Sequence, residues 1–306
     1  GLLPVEHHIK KYIDLSLTAL KSSKNEVSAR EKSNIALVAG VSIDFCIHAK
    51  RLDVLFTDIY DQHIAWNLQT VFFEALEPYI LSGKITDLPE NILKDWCGNY
   101  SRLSRFAALE RNIVHLNVRQ DSSILYLCKL AIDRKLYSTL LYCMSMKDLA
   151  GSLCIIHQFL GNGDTVSEVS LGYKILLFLM YSFDYCLFPR GDVMETPYDD
   201  IMRLLEMLVK DDATTKLDDP ILQDVYQYSQ NQNPHLSSNN MHRFPHLMAL
   251  LPVDSTALFY CISRALSRIA HSTEASSQLN RKRGGVVLDQ LLEFCKHADQ
   301  DSVDGN

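Results

Sequence analysis

An all-α fold of stacked helical hairpins, an α-solenoid, is what this sequence predicts, and three observations predict it. Apolar residues recur at spacings of three and four along most of the 306 residues, the period of one helix face. The 12 glycines and 9 prolines, about 7 % of the chain against about 12 % on average, fall between those periodic stretches. No run alternates apolar and polar residues between hairpin turns, so no sizeable sheet is expected.

Taken in order, Ile9, Ile13, Leu17 and Leu20 share one face of a first helix. Residues 35–47 are apolar nearly all round, with Gly40 and Ser42 as small interruptions, which predicts a helix covered on several sides. Leu52, Leu55, Phe56 and Ile59 stripe a helix over 52–64, and Phe72, Leu76, Tyr79 and Ile80 stripe one over 71–81. Pro78 removes the amide that would bond the Glu74 carbonyl, so a kink or a late helix start is expected there. Ser82-Gly83 turns the chain, and Asp87-Leu88-Pro89-Glu90 opens the next helix, with Pro in the entry turn and Glu where the dipole favours it. Further helices are predicted at 90–99, 103–115, 121–134, 137–145, 146–160, 165–186, 197–210, 218–229, 243–250, 254–270 and 285–297. Roughly one helix pair per 40 residues is the density of stacked repeats, in which each hairpin covers the face its neighbour leaves bare. A single solenoid over 1–306 is expected, with polar loops near 227–240 and 272–285.

A chain 47 % hydrophobic and 22 % charged has the composition of a globular protein. Its net charge of -7 supplies no broad positive field for a nucleic-acid backbone, which argues against that partner. Apolar runs such as 175–181 are far shorter than the roughly 18–20 residues of a bilayer span, so no transmembrane segment is expected. The chain opens on Gly1 without a basic-then-apolar leader, and the expectation is a segment of a longer protein. Its eight cysteines contain no Cys-x-x-Cys; most sit in apolar helical contexts and read as reduced, intracellular core thiols.

Chemistry is sparse. Gly-x-Ser-x-Gly, a phosphate-cradling loop and His-Glu-x-x-His are all absent from the sequence, so neither catalysis nor a cofactor is expected. Gly161-Asn162-Gly163-Asp164 follows a helix and not a strand, which makes it a helix C-cap before a dinucleotide loop. His235, His242 and His246 are close in sequence, but Pro245 breaks their register, and a solvated loop is expected over a metal site. Asp199-Asp200, Asp211-Asp212 and Asp218-Asp219 read as caps and dipole partners, and the aromatic stretch 173–185 reads as a buried central helix. One candidate interaction loop remains: Arg281, Lys282 and Arg283, ahead of the apolar Val286, Val287, Leu288 and Leu291. An acidic partner or phosphate would sit there at the entry to the last helix; the competing reading is a solvated loop.

Several phrases carry a resemblance to a known family. Residues 39–48 (AGVSIDFCIH), Arg51-Leu52-Asp53-Val54-Leu55-Phe56, the Leu76-Glu77-Pro78-Tyr79-Ile80-Leu81 segment with Leu88-Pro89, and Leu136-Tyr137-Ser138-Thr139-Leu140-Leu141-Tyr142 are among them. The most discriminating are Leu171-Gly172-Tyr173-Lys174-Ile175-Leu176 and Phe188-Pro189-Arg190-Gly191-Asp192. Together they resemble the central, clathrin heavy-chain-repeat-like helical region of the vacuolar protein sorting-associated protein 8 family, subunits of the CORVET tethering complex. One departure is residues 146–153, where the family carries two acidic residues, an aromatic and Thr-Pro-Leu; a remodelled turn is expected there.

The resemblance implies a non-catalytic scaffold, cytoplasmic and peripheral on the endosome membrane, acting in endosome fusion and vacuolar or lysosomal sorting. It also implies partners reached through the full-length protein: an early-endosomal Rab GTPase and the class C core tether subunits, including a Sec1/Munc18-type protein. A propeller and a RING domain would flank this segment. The nearest alternatives are a subunit of the HOPS tether and another clathrin-like trafficking scaffold, since fold alone does not fix function.

Overall fold

Helices replace the periodic stretches almost everywhere in the computed structural model, which describes residues 29–160, 166–193, 198–211, 217–232, 243–271 and 277–304 with scattered positions before residue 29. The predicted face of Ile9, Ile13, Leu17 and Leu20 lies outside the described residues, as does Gly161-Asn162-Gly163-Asp164. The chain divides into two units, Gly1–Val118 and Arg119–Asn306.

In the first unit, α1 (Ala29–His48) buries Ile35, Ala39, Ile43 and Cys46, a stripe repeating every three to four residues. That face packs on α4 (Gln69–Leu81), whose Phe72, Phe73, Leu76 and Ile80 are buried. Leu37 and Val41, on the opposite face of α1, are 67 % and 56 % exposed. The expectation of a helix covered on several sides is thereby corrected: uniform apolarity does not say which face finds a neighbour.

Between them, α2 (Leu52–Val54) passes through a π-helical turn, Leu55–Ile59, into α3 (Tyr60–Ala65). Tyr60 packs against Phe72 and Phe73 with ring centroids 5.2 and 5.6 Å away, and its hydroxyl donates to Asp95 at 2.8 Å. Pro78 sits inside α4, which begins nine residues earlier, so the late start does not occur. The unit continues through α5 (Glu90–Arg102) and α6 (Phe106–Ile113). Trp96 and Tyr100 are fully buried, the Tyr100 hydroxyl donates to Glu77 at 2.5 Å, and Arg105 pairs with Glu74. Polar groups thus tie neighbouring helices around an aromatic core.

In the second unit, α7 (Asp121–Arg134), α8 (Tyr137–Ser145) and α9 (Leu149–Ile156) follow one another through short turns. Lys135, in the left-handed conformation (φ 56), ends α7 with its amide on the Ile132 carbonyl, a terminating geometry usually given to Gly or Asn. Every residue from Thr139 to Ser145 and from Leu149 to Ile156 is buried, which places the core of the unit here. The departure at 146–153 forms the α9 entry: Asp148 accepts from the Ala150 amide at 3.1 Å, and Lys147 pairs with Asp121 at the start of α7.

A one-turn 3-10 segment, His157–Phe159, then precedes α10 (Val166–Phe183), and a two-residue hairpin follows, β1 (Cys186–Leu187) antiparallel to β2 (Asp192–Val193). The phrase Phe188-Pro189-Arg190-Gly191-Asp192 is this hairpin turn. Phe188 packs edge-on against Phe178 and Tyr181 of α10, Arg190 pairs with Asp192 at 2.6 Å, and Gly191 takes φ +78, a conformation that favours glycine. Four helices complete the unit: α11 (Tyr198–Leu208), α12 (Pro220–Gln232), α13 (Pro245–His271) and α14 (Ser277–Asp304). α11 packs on α9, α12 returns to α7, and α13 lies along α10. At Gly172 of α10 an added Cβ would stand 2.5 Å from a Val253 methyl, so the two helices approach through a missing side chain.

The all-α class of the sequence analysis is what the structure has. Its two polar loops are corrected in part: 227–232 belongs to α12 and 277–285 to α14, while 233–240 and 272–276 lie outside the described residues. The aromatic stretch is corrected too. α10 buries Leu171, Ile175, Leu176, Phe178, Leu179 and Phe183, yet leaves Tyr173 45 % and Leu177 44 % exposed.

Candidate functional site

The basic triplet Arg281, Lys282 and Arg283 is not a loop. All three stand inside α14, so their backbone amides belong to the helix and provide no free terminal donors for a phosphate. Gly284-Gly285, at the end of the expected polar loop, is where α14 meets α13: Gly284 is buried, and a Cβ on it would touch Ile269 at 3.5 Å. The contacts of α14 with α11 and α13 outweigh glycine's helix penalty of about 1 kcal/mol.

The triplet also splits by role. Arg283 lies in a fork: its Nε donates to Glu206 Oε1 at 2.5 Å, one Nη to Glu206 Oε2 at 2.7 Å, and the other to Asp199 at 3.1 Å. These bonds clamp α14 onto α11, and the Glu206 carboxylate holds the guanidinium pKa above its usual value. Arg281 and Lys282 point outward and are exposed. On the same helix Val286, Leu288 and Leu292 are exposed as well.

A bidentate pair at the surface is worth little, because water and salt screen it. Arg283→Ala is therefore expected to lower the melting midpoint modestly, by about 3 °C. Arg281→Ala with Lys282→Ala is expected to leave it unchanged. Differential scanning calorimetry of the two variants checks the split. This replaces the sequence-level view of three equivalent loop charges.

Other charged residues are likewise engaged between helices. Arg243 donates to both oxygens of Asp211, at 2.8 and 2.6 Å, and to Glu293 at 2.7 Å, while the next ring, Phe244, packs edge-on against Phe294 of α14. Asp184 at the end of α10 receives Arg264 at 2.5 Å and Arg268 at 2.9 Å from α13. Of the acidic pairs read as caps, Asp219 accepts from the Ile221 and Leu222 amides at the start of α12, and Asp199 and Asp200 occupy the first turn of α11. Burial raises the Asp200 carboxyl pKa, and Asp148 and Asp199 add to the rise against Arg203. Asp211 serves Arg243, and Asp212 lies outside the described residues.

Of the three clustered histidines, His235 and His242 lie outside the described residues. His246 contradicts the expected solvated loop: Pro245 starts α13, and the His246 ring on its first turn is 1 % exposed. Among the described residues no group of three or more His, Cys, Asp or Glu side chains is placed to hold a metal ion. None of the described cysteines is in a disulfide; six are buried, Cys186 is half-buried and Cys295 is exposed.

One described helix, Pro245–Ala270, has the length and apolarity of a membrane span, which short apolar runs did not reveal. A third of its apolar window is buried, and polar contacts to other helices interrupt it. The backbone breaks at Asp254, directly after Pro252-Val253, and Asp254 caps the second half by accepting from the Ala257 amide at 2.9 Å. The Cys261 thiol reaches the Leu176 carbonyl of α10 at 3.8 Å, and both arginines of the second half pair with Asp184.

A family model described as Vps8 central TPR matches residues 71–266, from α4 of the first unit into α13 of the second. The vacuolar protein sorting-associated protein 8 homologs of Homo sapiens and Mus musculus are each 26 % identical over 164 residues, which is 51 % of this chain and 11 % of the relative. The match thus spans about a tenth of the length of these curated relatives. No solved structure matches.

Proposed function

Because the chain belongs to the Vps8 central TPR family, we propose that it is a non-catalytic scaffold segment of a CORVET-type endosomal membrane tether, acting in endosome fusion and vacuolar or lysosomal protein sorting. The observation that carries this reading is the family match over 71–266. The wiring of the helices supports it: carboxylates and guanidinium groups cap helix ends or join one helix to another, as at Asp148, Asp219, Asp184, Arg243 and Arg283. Such a stack supplies spacing and orientation, with exposed ridges as its interfaces.

In this reading the protein is cytoplasmic and held peripherally at the endosome through partners. Those partners are the class C core subunits and an early-endosomal Rab GTPase, engaged by the full-length protein. Arg281 and Lys282 are the basic pair on α14 that an acidic partner surface would meet, whereas Arg283 holds the helix in place. The test is a titration of this chain against nucleotide-loaded early-endosomal Rab and against purified class C subunits.

A further inference from the structure

Two buried imidazoles meet where the end of α9 faces the start of α13. His157, on the 3-10 turn after α9, and His246, on the first turn of α13, stand edge-to-face with ring centroids 4.2 Å apart and an interplanar angle of 78°. His157 is 5 % exposed and His246 1 %. Nδ1 of His157 lies 3.2 Å from the Leu153 carbonyl, an acceptor that requires the proton to be on Nδ1. His246 has no hydrogen-bond partner on either ring nitrogen. A neutral imidazole carries one N–H and one lone pair, and here both are buried without a mate, a standing cost of folding. We propose that the His157–His246 contact is an acid-sensitive latch: proton uptake by His246 releases the first turns of α13 from the end of α9.

The surroundings decide the direction. A second proton on His246 would place a cation where nothing solvates it. The titratable groups bearing on it are His157 from the 3-10 turn and Lys210 from the end of α11, both of the wrong sign to stabilise a cation. From α12 the neighbour of the turn is neutral, with Gln230 donating to Gln158 at 2.6 Å. The carboxylates on this side, Asp211 after α11 and Glu293 of α14, both accept from Arg243 three residues earlier in the chain.

Burial, then His157, then Lys210 accordingly hold the His246 pKa well below the usual imidazole range. A histidine whose folded pKa lies below its unfolded value binds fewer protons folded than unfolded. Its contribution to stability is therefore complete above the unfolded value of about 6.5 and is lost as pH falls below it. His63 in the first unit is also buried with a lowered pKa, so acid weakens both units, and only a comparison of variants isolates the latch.

The experiment takes the whole 306-residue chain through thermal melts from about pH 8 to about pH 5, spanning the imidazole range. The wild type is expected to hold its midpoint down to about pH 7 and then lose about 5 °C more than His246→Phe, which keeps an edge-on ring without a titrating nitrogen. Equal losses in wild type and variant would overturn the latch. Should His246→Phe fail to fold, hydrogen exchange on the wild type decides. Amides of 246–253 are expected to lose protection below about pH 6.5, after correction for intrinsic exchange, ahead of those of α7. Unchanged protection at 246–253 down to about pH 5.5 would overturn it equally.

Discussion

In the Leu140→Asp variant the second unit is expected to melt far below the wild type. Leu140 is fully buried at the centre of α8, flanked by the fully buried Leu141, Cys143 and Met144, and α8 is enclosed by α7, α9 and α10. A carboxylate there has no partner and must be protonated or hydrated by opening the core, a cost above about 4 kcal/mol. The expected fall in melting midpoint is more than about 10 °C, read by circular dichroism at 222 nm, the helix band. Leu140→Ala, which leaves a cavity without a charge, should cost about 2–5 kcal/mol. A near-wild-type melt for Leu140→Asp would mean that α8 is not enclosed.

The second large effect is at Gly172. A Cβ there would lie 2.5 and 2.7 Å from the two Val253 methyls and 3.1 Å from its Cβ. Val253 is β-branched and stiff at χ1, so one methyl cannot swing away without the other swinging in. Gly172→Leu is expected to push α13 off α10 and destabilise the chain by about 3 kcal/mol, well beyond the gain in helix propensity. Combining it with Val253→Ala should recover a substantial part of the loss, since the two positions share one contact. Additive losses in that double-mutant cycle would show that the helices do not meet there.

These two sites also show what could be read from the sequence. Leu140 lies in a stretch whose local pattern is apolar, and local pattern is what periodicity measures; helices 121–134 and 137–145 were predicted with the bounds observed. Gly172 belongs to a phrase that carried the family resemblance, but its role rests on Val253, a contact between elements far apart in the chain. The same limit explains the errors. Gly284-Gly285 looks like a break because glycine penalises isolated helices, and what holds this stretch, the burial of Gly284 and the ion pair of the preceding Arg283 to Glu206 across 77 residues, is invisible locally. His246 looks solvated beside a polar, Asn-rich stretch, yet its ring is covered by His157 from another helix end. For α1, apolarity all round concealed that Ile35, Ala39, Ile43 and Cys46 are buried while Leu37 and Val41 stay exposed.

That the segment acts as a scaffold, and neither processes nor by itself recognises the GTPase, is most directly tested by one titration. The isolated chain is added to early-endosomal Rab loaded with GTP or GDP, with calorimetric binding and nucleotide hydrolysis and exchange rates followed together. Weak or absent Rab binding without nucleotide preference is expected, with hydrolysis and exchange rates equal to those of the Rab alone, because such catalysis needs charge placed at the transferring phosphate. Tight, GTP-dependent binding by this chain alone, or a rate change that saturates with it, would contradict the account and move recognition into these helices.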